Sequence, residues 1–309
     1  MSDNTAGEIE TEATFPVSKE ELSLLRADLA CEFPDDHMTL SDDYILSVAS
    51  KPYSKDPTVR RPIEYSGSKL KELLDWRQTN AVHLQEILDI AKEGSSSPAA
   101  SQEPEKFTKA KALATSLNYG SMYWKGVDKE GRPVLWIRTN RMPWFPDVEA
   151  QVNALIVLAD AGIRSMPLGV TDFVVLSDSN SPPPPNPQFL MNLLSALIKG
   201  YPDRLNLLVS CPVGTIIQTV MKLLLPLMPT RLSSKIVLIY AEDAKEKLGK
   251  ILLNGEEDIP TFLGGKCNHD EHFPTEGSFP SKMLKFDFDG MIERLEADSE
   301  NFQKSKEKN

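Results

Sequence analysis

The stretch that decides the fold reads YPDRL at 201–205, TIIQTVMKLLLPLM at 215–228 and SKIVLI at 234–239. Its short apolar runs, bounded by Pro and Gly, predict a buried strand at 205–211, a helix at 215–228 and a second buried strand at 235–240. The helix is apolar on most of its surface, because only Thr215, Gln218, Thr219 and Lys222 are polar. Such a helix needs cover on more than one side.

Three interpretations of this helix compete: a core helix, a membrane span and a lid over an apolar ligand. A span needs about 20 uninterrupted apolar residues, whereas Gln218, Lys222, Pro226 and Pro229 interrupt this segment. These interruptions argue against a span. The pattern alone does not decide between a core helix and a lid, since apolar helices commonly fill protein cores.

Composition narrows the class of protein. The chain has 309 residues, of which 40% are hydrophobic, so it can build one large domain or two smaller ones with a proper core. The 45 acidic and 34 basic residues give a net charge of −11, which opposes adhesion to nucleic acid or to an anionic membrane as a whole. Three widely spaced cysteines and a start without a signal sequence are typical of the cytoplasm. We expect a cytoplasmic monomer that binds no nucleic acid.

Helical patterns dominate the first 117 residues. Ser18 and Glu21 form a capping-box signature for a helix that ends near Ala30. Further helices are predicted at 44–49, from Ser68 to about residue 93 and at 107–117, with an irregular, proline-containing segment at 51–62. We therefore predict a disordered acidic tail at 1–15 and a helical domain at 16–117 with a flexible loop at 94–104.

From residue 118 onward, strand patterns alternate with helix patterns. Short continuous apolar runs at 134–137, 173–176, 205–209 and 236–239 are typical of strands covered on both faces. Helical patterns at 148–161, 188–199, 215–228 and 242–253 indicate right-handed crossovers and a mostly parallel sheet. The predicted fold class is α/β, with an edge strand at 261–263 and a C-terminal extension at 276–309 that contains a short helix at 291–295.

Signatures of catalysis are absent from the sequence of this α/β half. It has no G-x-G-x-x-G or G-x-x-x-x-G-K-[ST] phosphate loop and no G-x-S-x-G elbow. Cys267, His269 and His272 form a metal-like cluster, but their spacing matches no common zinc site. We predict no catalytic residue, no metal and no cofactor, with a hydrolase that uses Ser177 or Ser179 as a third alternative.

Five segments of this half follow one another in a fixed order: GVDKEGRPV at 126–134, YPDRL at 201–205, SKI at 234–236, IP at 259–260 and LGG at 263–265. Together they resemble the CRAL-TRIO lipid-binding domain, over about half of the chain. The segment LLDWR at 73–77 is similar to the end of the small helical domain that precedes the lipid domain in this family. The resemblance implies a lipid-binding domain at 118–275, formed by a mostly parallel sheet and helices around an apolar pocket.

The resemblance also implies that the helix at 215–228 is a gate. In the family, the equivalent helix closes over one lipid in solution and opens at a membrane. Burial of a two-chain lipid contributes about 0.8 kcal/mol per methylene, so a closed apolar pocket can compete with a bilayer. Gly214, Pro226 and Pro229 would serve as hinges. The predicted gate residues are Ile216, Ile217, Val220, Leu223, Leu224 and Leu227.

A pocket and a headgroup site follow from the same resemblance. Family members that bind phosphatidylinositol use an acidic residue of a Tyr-Pro-x-Arg motif and a Lys before the fourth strand, here Asp203 and Lys235, and we add Tyr201 of the same motif. Asp203 could instead form an ion pair with Arg204. Because side chains of a strand alternate between two faces, the sequence does not tell which face forms the pocket. The candidate pocket residues are Val134, Trp136, Phe173, Val175, Leu207 and Val209.

We predict a protein that binds one hydrophobic lipid, phosphatidylinositol or another phospholipid, and transfers or presents it between membranes through transient, peripheral contact. The identity of the lipid stays open, because residues 44–51 and 177–180 depart from the family's motifs. A rival hypothesis is a lipid-sensing or protein-interaction module in signalling or trafficking. Its partner could bind the proline run Pro182, Pro183, Pro184 and Pro185, although the position of this run after a core strand favours a rigid spacer.

Overall fold

A computed structural model of the protein describes residues 14–184, 186–269 and 288–306. The part before the sheet is mainly helical, as the sequence patterns predict. Its helices are α1 (Lys19–Glu32), α2 (Asp42–Ala49), α3 (Ile63–Asn80), α4 (Leu84–Glu93), α5 (Ala99–Gln102) and α6 (Pro104–Asn118). The capping box is confirmed, since the Ser18 hydroxyl accepts a hydrogen bond from the Glu21 amide and the Glu21 carboxylate accepts one from the Ser18 amide. Most of the predicted acidic tail, residues 1–13, lies outside the described residues.

This helical part departs from the prediction in three places. The segment 51–62 is not irregular but contains a small antiparallel hairpin, β1 (Pro52–Tyr53) and β2 (Asp56–Arg60), where a proline is tolerated because the strands have free edges. The helix expected from Ser68 starts earlier and is divided into α3 and α4. The segment 94–104, predicted to be a loop, contains a 3₁₀ turn at Gly94–Ser96 and the short α5; its flexibility stays a prediction.

A five-stranded sheet forms the centre of the second part, which confirms the predicted α/β fold class. Its strands lie in the order β3 (Met122–Val127), β4 (Pro133–Arg138), β5 (Phe173–Asp178), β6 (Leu205–Cys211) and β7 (Ile236–Leu238). The pairs from β4 to β7 are parallel, and β3 is antiparallel to β4. The sequence patterns did not predict β3, because Lys125 and Gly126 interrupt its apolar run.

Helices follow the strands in the predicted alternation. They are α7 (Val148–Arg164), α8 (Pro187–Ser195), α9 (Thr215–Leu224), α10 (Thr230–Ser233), α11 (Ala244–Ile251) and α12 (Phe288–Lys306). A π turn at Ala196–Gly200 extends α8, and a 3₁₀ turn at Leu225–Leu227 extends α9. The predicted edge strand at 261–263 is wrong, because Thr261–Leu263 forms a 3₁₀ turn that ends at Gly264 with a φ of +81°. α12 is much longer than the helix predicted at 291–295.

The sheet has a packed core on each of its two faces. On the first face, Leu135, Phe173, Val175 and Leu205 belong to a cluster with α7, to which α4, α6 and α12 also contribute. On the second face, a cluster that includes α11 and Ile259 covers the alternate residues of β4 and β5. In β6, an irregularity between Leu205 and Leu207 places these two residues on different faces. The strand residues on the second face are Tyr123, Val134, Trp136, Val174, Leu176, Leu207, Val209 and Cys211. No helix among the described residues has the length and hydrophobicity needed to cross a bilayer.

Candidate functional site

α9, the predicted gate, presents apolar side chains in two directions. Ile217, Val220 and Leu224 are buried, with exposed fractions of 7–9%. The other three predicted gate residues, Ile216, Leu223 and Leu227, point outward and are 46%, 63% and 57% exposed. This arrangement follows from helical spacing, which places residues three and four positions apart on the same side. The gate residues therefore divide equally between an inner and an outer apolar face.

The inner face of α9 is held by a small cluster of its own. Val220 and Leu224 pack against Leu194 of α8, with Leu190 and Met228 at the margin. This cluster is separate from the cores on the two faces of the sheet. A helix that buries so little apolar surface is expected to open locally at a small free-energy cost. The predicted hinge at Gly214 precedes α9 in open space, since a Cβ added there meets no atom within 4 Å.

The sheet surface on the side of α8 and α9 is apolar but incompletely covered. Leu208 of β6 packs on the first-face cluster and pairs in register with Ile236 of β7, while Ser210 pairs with Leu238. Since residues paired in a parallel ladder point to the same side, Ile236 and Leu238 also belong to the first face. Leu208, Ile236 and Leu238 are only half-buried, although they lie in a sheet. Leu193 of α8 is half-buried as well and packs on the first-face cluster. We call the incompletely covered apolar surface of these four residues the hollow.

The residues predicted to line the pocket lie on both faces of the sheet. Phe173 and Val175 are on the first face, where they pack under α7. Val134, Trp136, Leu207 and Val209 are on the second face, away from α9. The Trp136 ring is 1% exposed and meets the rings of Phe262 and His269 edge-on at 6.2 and 4.8 Å between centroids. These four side chains do not share a surface with the gate.

The residues that do line the hollow, Leu208, Ile236 and Leu238, were missed as pocket residues because both faces of a parallel sheet are apolar. In such strands the sequence shows no alternation that separates one face from the other. The missing information is which helix covers which face, and that depends on tertiary contacts. Once it is known that α8 and α9 lie on the same side of the sheet as α7, the strand residues of the hollow can be identified.

Asp203, predicted as a headgroup residue, holds two arginines from distant parts of the chain. Its carboxylate accepts hydrogen bonds from Arg61, one of them at 3.2 Å, and lies 2.8 Å from the guanidinium of Arg231 in α10. Arg61 is 4% exposed and the Asp203 side chain 11%. Arg204 is not the ion-pair partner, because its guanidinium stacks on the Tyr44 ring at 3.4 Å. Asp203 thus links the helical part, the loop before β6 and the segment after the gate.

Tyr201 and Lys235 are also bound to protein groups at the amino-terminal edge of the sheet. The Tyr201 hydroxyl donates to a carboxylate oxygen of Asp160 at 2.8 Å, and Asp160 in turn receives two hydrogen bonds from Arg77. Burial of the Tyr201 ring, followed by the charge of Asp160, raises its pKa well above the ordinary value, so the phenol stays protonated. The Lys235 ammonium donates to the carbonyl of Leu205 at the start of β6.

Polar groups at the opposite, carboxyl-terminal edge do not form a hydrolase site. The Ser179 hydroxyl lies 2.6 Å from that of Ser210 and 3.2 Å from that of Ser177. The ring of His269 instead contacts the Tyr123 hydroxyl at 2.9 Å. His272 of the metal-like cluster lies outside the described residues, and those that are described contain no group of three ligand-type side chains that could hold a metal.

The fold and the hollow define an α/β domain with an incompletely covered apolar surface, and comparison with known proteins identifies its family. Residues 117–265 match the model of the CRAL/TRIO domain family, and this part of the chain belongs to that family. Membership confirms lipid binding as the general class of function, and with it the prediction that the protein is not an enzyme. Among solved structures, the crystal structure of Sfh5 is similar, with 13% identity and a TM-score of 0.49 over 90% of this chain and 98% of that chain. A search of curated proteins found no match.

Proposed function

We propose that this protein holds one lipid molecule in the hollow between the β6–β7 surface and helices α8 and α9, and transfers or presents it between membranes. The observation that carries the proposal is the contrast between a weakly held apolar helix and the half-buried apolar residues of the hollow beside it. Acyl chains placed there would remove the floor residues from water, at roughly 25 cal/mol per Å² of apolar surface. The lipid would complete a core that the protein alone leaves unfinished.

The outer face of α9 suits contact with a membrane. Ile216, Leu223 and Leu227 would face the hydrocarbon while the inner face separates from α8. No acidic residue occurs between Arg204 and Ala241, in a chain whose net charge is −11, so this surface can approach anionic lipids without repulsion. Peripheral and transient association from the cytoplasm is the mode of binding that we propose.

We propose phosphatidylinositol or another phospholipid as the ligand, with its headgroup at the amino-terminal edge of the sheet. Lys235 would contact the phosphate as a point charge. Asp203 could contact the headgroup only in competition with Arg61 and Arg231, which already hold its carboxylate. The role of Tyr201 in this proposal is to fix the loop on which Asp203 lies.

The hollow can be tested by filling it. Leu238→Trp adds a large side chain to the half-buried floor, whereas Tyr240→Trp changes an exposed residue just beyond the same strand and serves as the matched control. Loading of each purified variant with a fluorescent phospholipid is measured beside the wild type. We expect Leu238→Trp to lower loading at least about tenfold, as loss of a few buried methylenes implies, and Tyr240→Trp to leave it unchanged. Equal loading of all three proteins would contradict the proposed location of the lipid.

A further inference from the structure

The loop between β4 and α7 exposes two adjacent aromatic residues. Trp144 is 70% and Phe145 93% exposed. The three other tryptophans of the chain, Trp76, Trp124 and Trp136, are at most 8% exposed. Large aromatic side chains are normally withdrawn from water, so an adjacent pair of exposed ones at a loop tip indicates a surface that is covered in use.

The loop is held in a shape that keeps this pair exposed. Pro143 and Pro146 flank the aromatic residues and restrict the backbone on both sides. Before the loop, the Thr139 hydroxyl donates to the carbonyl of Asp178 at 2.9 Å. After the loop, the Asp147 carboxylate caps α7 by accepting a hydrogen bond from the Ala150 amide. The tip is therefore presented on fixed supports, and little conformational entropy is lost when it binds.

The loop leaves the sheet at the edge where the gate begins. Arg138, Asp178 and Cys211 are in register at the carboxyl ends of β4, β5 and β6. α9 starts at Thr215, only a few residues after the end of β6. Ile216 in its first turn is also exposed. The aromatic tip and the outer face of the gate thus extend from the same edge.

The aromatic chemistry of the tip selects a bilayer as the partner of this surface. No Asp or Glu occurs between Gly131 and Pro146 or between Ser179 and Pro202. The tip itself therefore carries no acidic residue, and the nearest carboxylates along the chain, Asp147 and Glu149, lie at the start of α7. Exposed Trp and Phe match the interface of a membrane, where aromatic rings lie at the level of the lipid headgroups.

We propose that Trp144 and Phe145 form a membrane-insertion loop that docks the carboxyl-terminal edge of the sheet on a bilayer, separately from the gate. This inference deepens the proposed function, since docking at this edge would place α9 against the membrane. The loop would keep contact with the bilayer while the gate moves.

The test measures partition of the full chain onto phosphatidylcholine vesicles. The double variant Trp144→Ala/Phe145→Ala should lower the partition coefficient at least about tenfold, because two large apolar side chains no longer leave water. The matched control is Leu168→Ala. Leu168 is 95% exposed but lies after the far end of α7, roughly 25 Å along a helix of 17 residues, and its removal should not change partition.

A second readout reports insertion directly. Brominated phosphatidylcholine should quench part of the tryptophan fluorescence of the wild type, and Trp144→Phe should abolish that quenching while it preserves partition. Unchanged partition of the double variant, or no binding of the wild-type protein to vesicles, would overturn the inference. So would loss of self-association in the double variant with vesicle binding intact, since the loop would then be a contact between protein chains.

The lipid content of the purified protein distinguishes this inference from the proposed function. A protein that carries a lipid but docks independently of the loop would retain the proposed function and lose the inference. A protein without lipid whose vesicle binding depends on Trp144 and Phe145 would retain the inference and lose the proposed function.

Discussion

The two faces of the sheet are built from the same strands but are finished differently. On the second face, Trp136 and Val209 are at most 1% exposed under α11 and the segment around Ile259. On the first face, Leu208, Ile236 and Leu238 remain half-buried beside a gate helix that packs on a small separate cluster. The comparison teaches that the first face is closed under α7 at β4 and β5 but incompletely covered at β6 and β7, which is where the proposed lipid would bind.

The largest expected effect comes from the closed second face. Trp136→Ala removes a side chain that is almost fully buried against Phe262 and His269, and we expect the free energy of unfolding to fall by roughly 4 kcal/mol. Leu238→Ala on the first face should lower it by less than about 2 kcal/mol, because its side chain is only partly buried. Urea unfolding of both variants provides the measurement. Equal losses would remove the distinction between the faces.

A somewhat smaller effect is expected at the amino-terminal edge of the sheet. Asp203→Asn preserves the shape of a residue with a φ of +60°, a conformation that Asn tolerates, but removes the charge between Arg61 and Arg231. Loss of one partner from a nearly buried ion pair should lower the free energy of unfolding by roughly 3 kcal/mol. Measurements of urea unfolding and of lipid loading distinguish a role of Asp203 in stability from a role in headgroup binding. Lower loading with unchanged stability would show that Asp203 serves the headgroup rather than the fold.

A substitution in the gate should affect the rate of lipid transfer more than the free energy of unfolding. Leu224→Asp places a charge in the small cluster between α8 and α9, and we expect a loss of about 2 kcal/mol in the free energy of unfolding but at least a tenfold slower transfer of lipid between vesicles. Leu224→Met, which keeps an apolar side chain of similar volume at the same position, is the matched control and should transfer lipid at the wild-type rate. Wild-type transfer by Leu224→Asp would count heavily against the gate.

The smallest expected effect lies outside both faces, at the cap of α1, and provides a reference for the others. The hydrogen bond from Arg60, followed by that from the Ser18 amide, lowers the pKa of Glu21 from 4.5 to about 2. A carboxyl group whose pKa is lower in the folded than in the unfolded protein stabilises the fold at pH values above its unfolded pKa. This stabilisation is lost as the pH falls from about 4.5 towards 2. Glu21→Gln should therefore flatten the pH dependence of unfolding in that window and leave lipid loading unchanged. A pH profile identical to that of the wild type would show that the ion pair of Glu21 with Arg60 contributes nothing measurable to the free energy of unfolding.

The sequence predicted those features that depend on local patterns. The strands β4 to β7 were located because continuous apolar runs mark strands covered on both faces. The helix at α9 was identified from its unusually apolar composition, and the order of motifs indicated the family. β3 was missed, because its run is interrupted and its pairing with β4 is a tertiary property.

The details of the site were harder to predict because they depend on contacts between distant residues. Arg61 and Asp203 are 142 positions apart, and nothing in their local sequence indicates that they meet. The faces of the sheet could not be distinguished either, so four second-face residues were placed in the pocket. Leu208, Ile236 and Leu238 become recognisable only when the side that carries α8 and α9 is known.

The central claim, that the open first face binds a lipid, is tested most directly by native mass spectrometry of the full chain purified from a eukaryotic host, followed by lipid extraction and identification. The account predicts a monomer with a single phospholipid bound in stoichiometric amount. It also predicts that the purified Leu238→Trp variant contains no bound phospholipid. A folded protein that carries no lipid in either form would contradict the account and would favour a protein-interaction module instead.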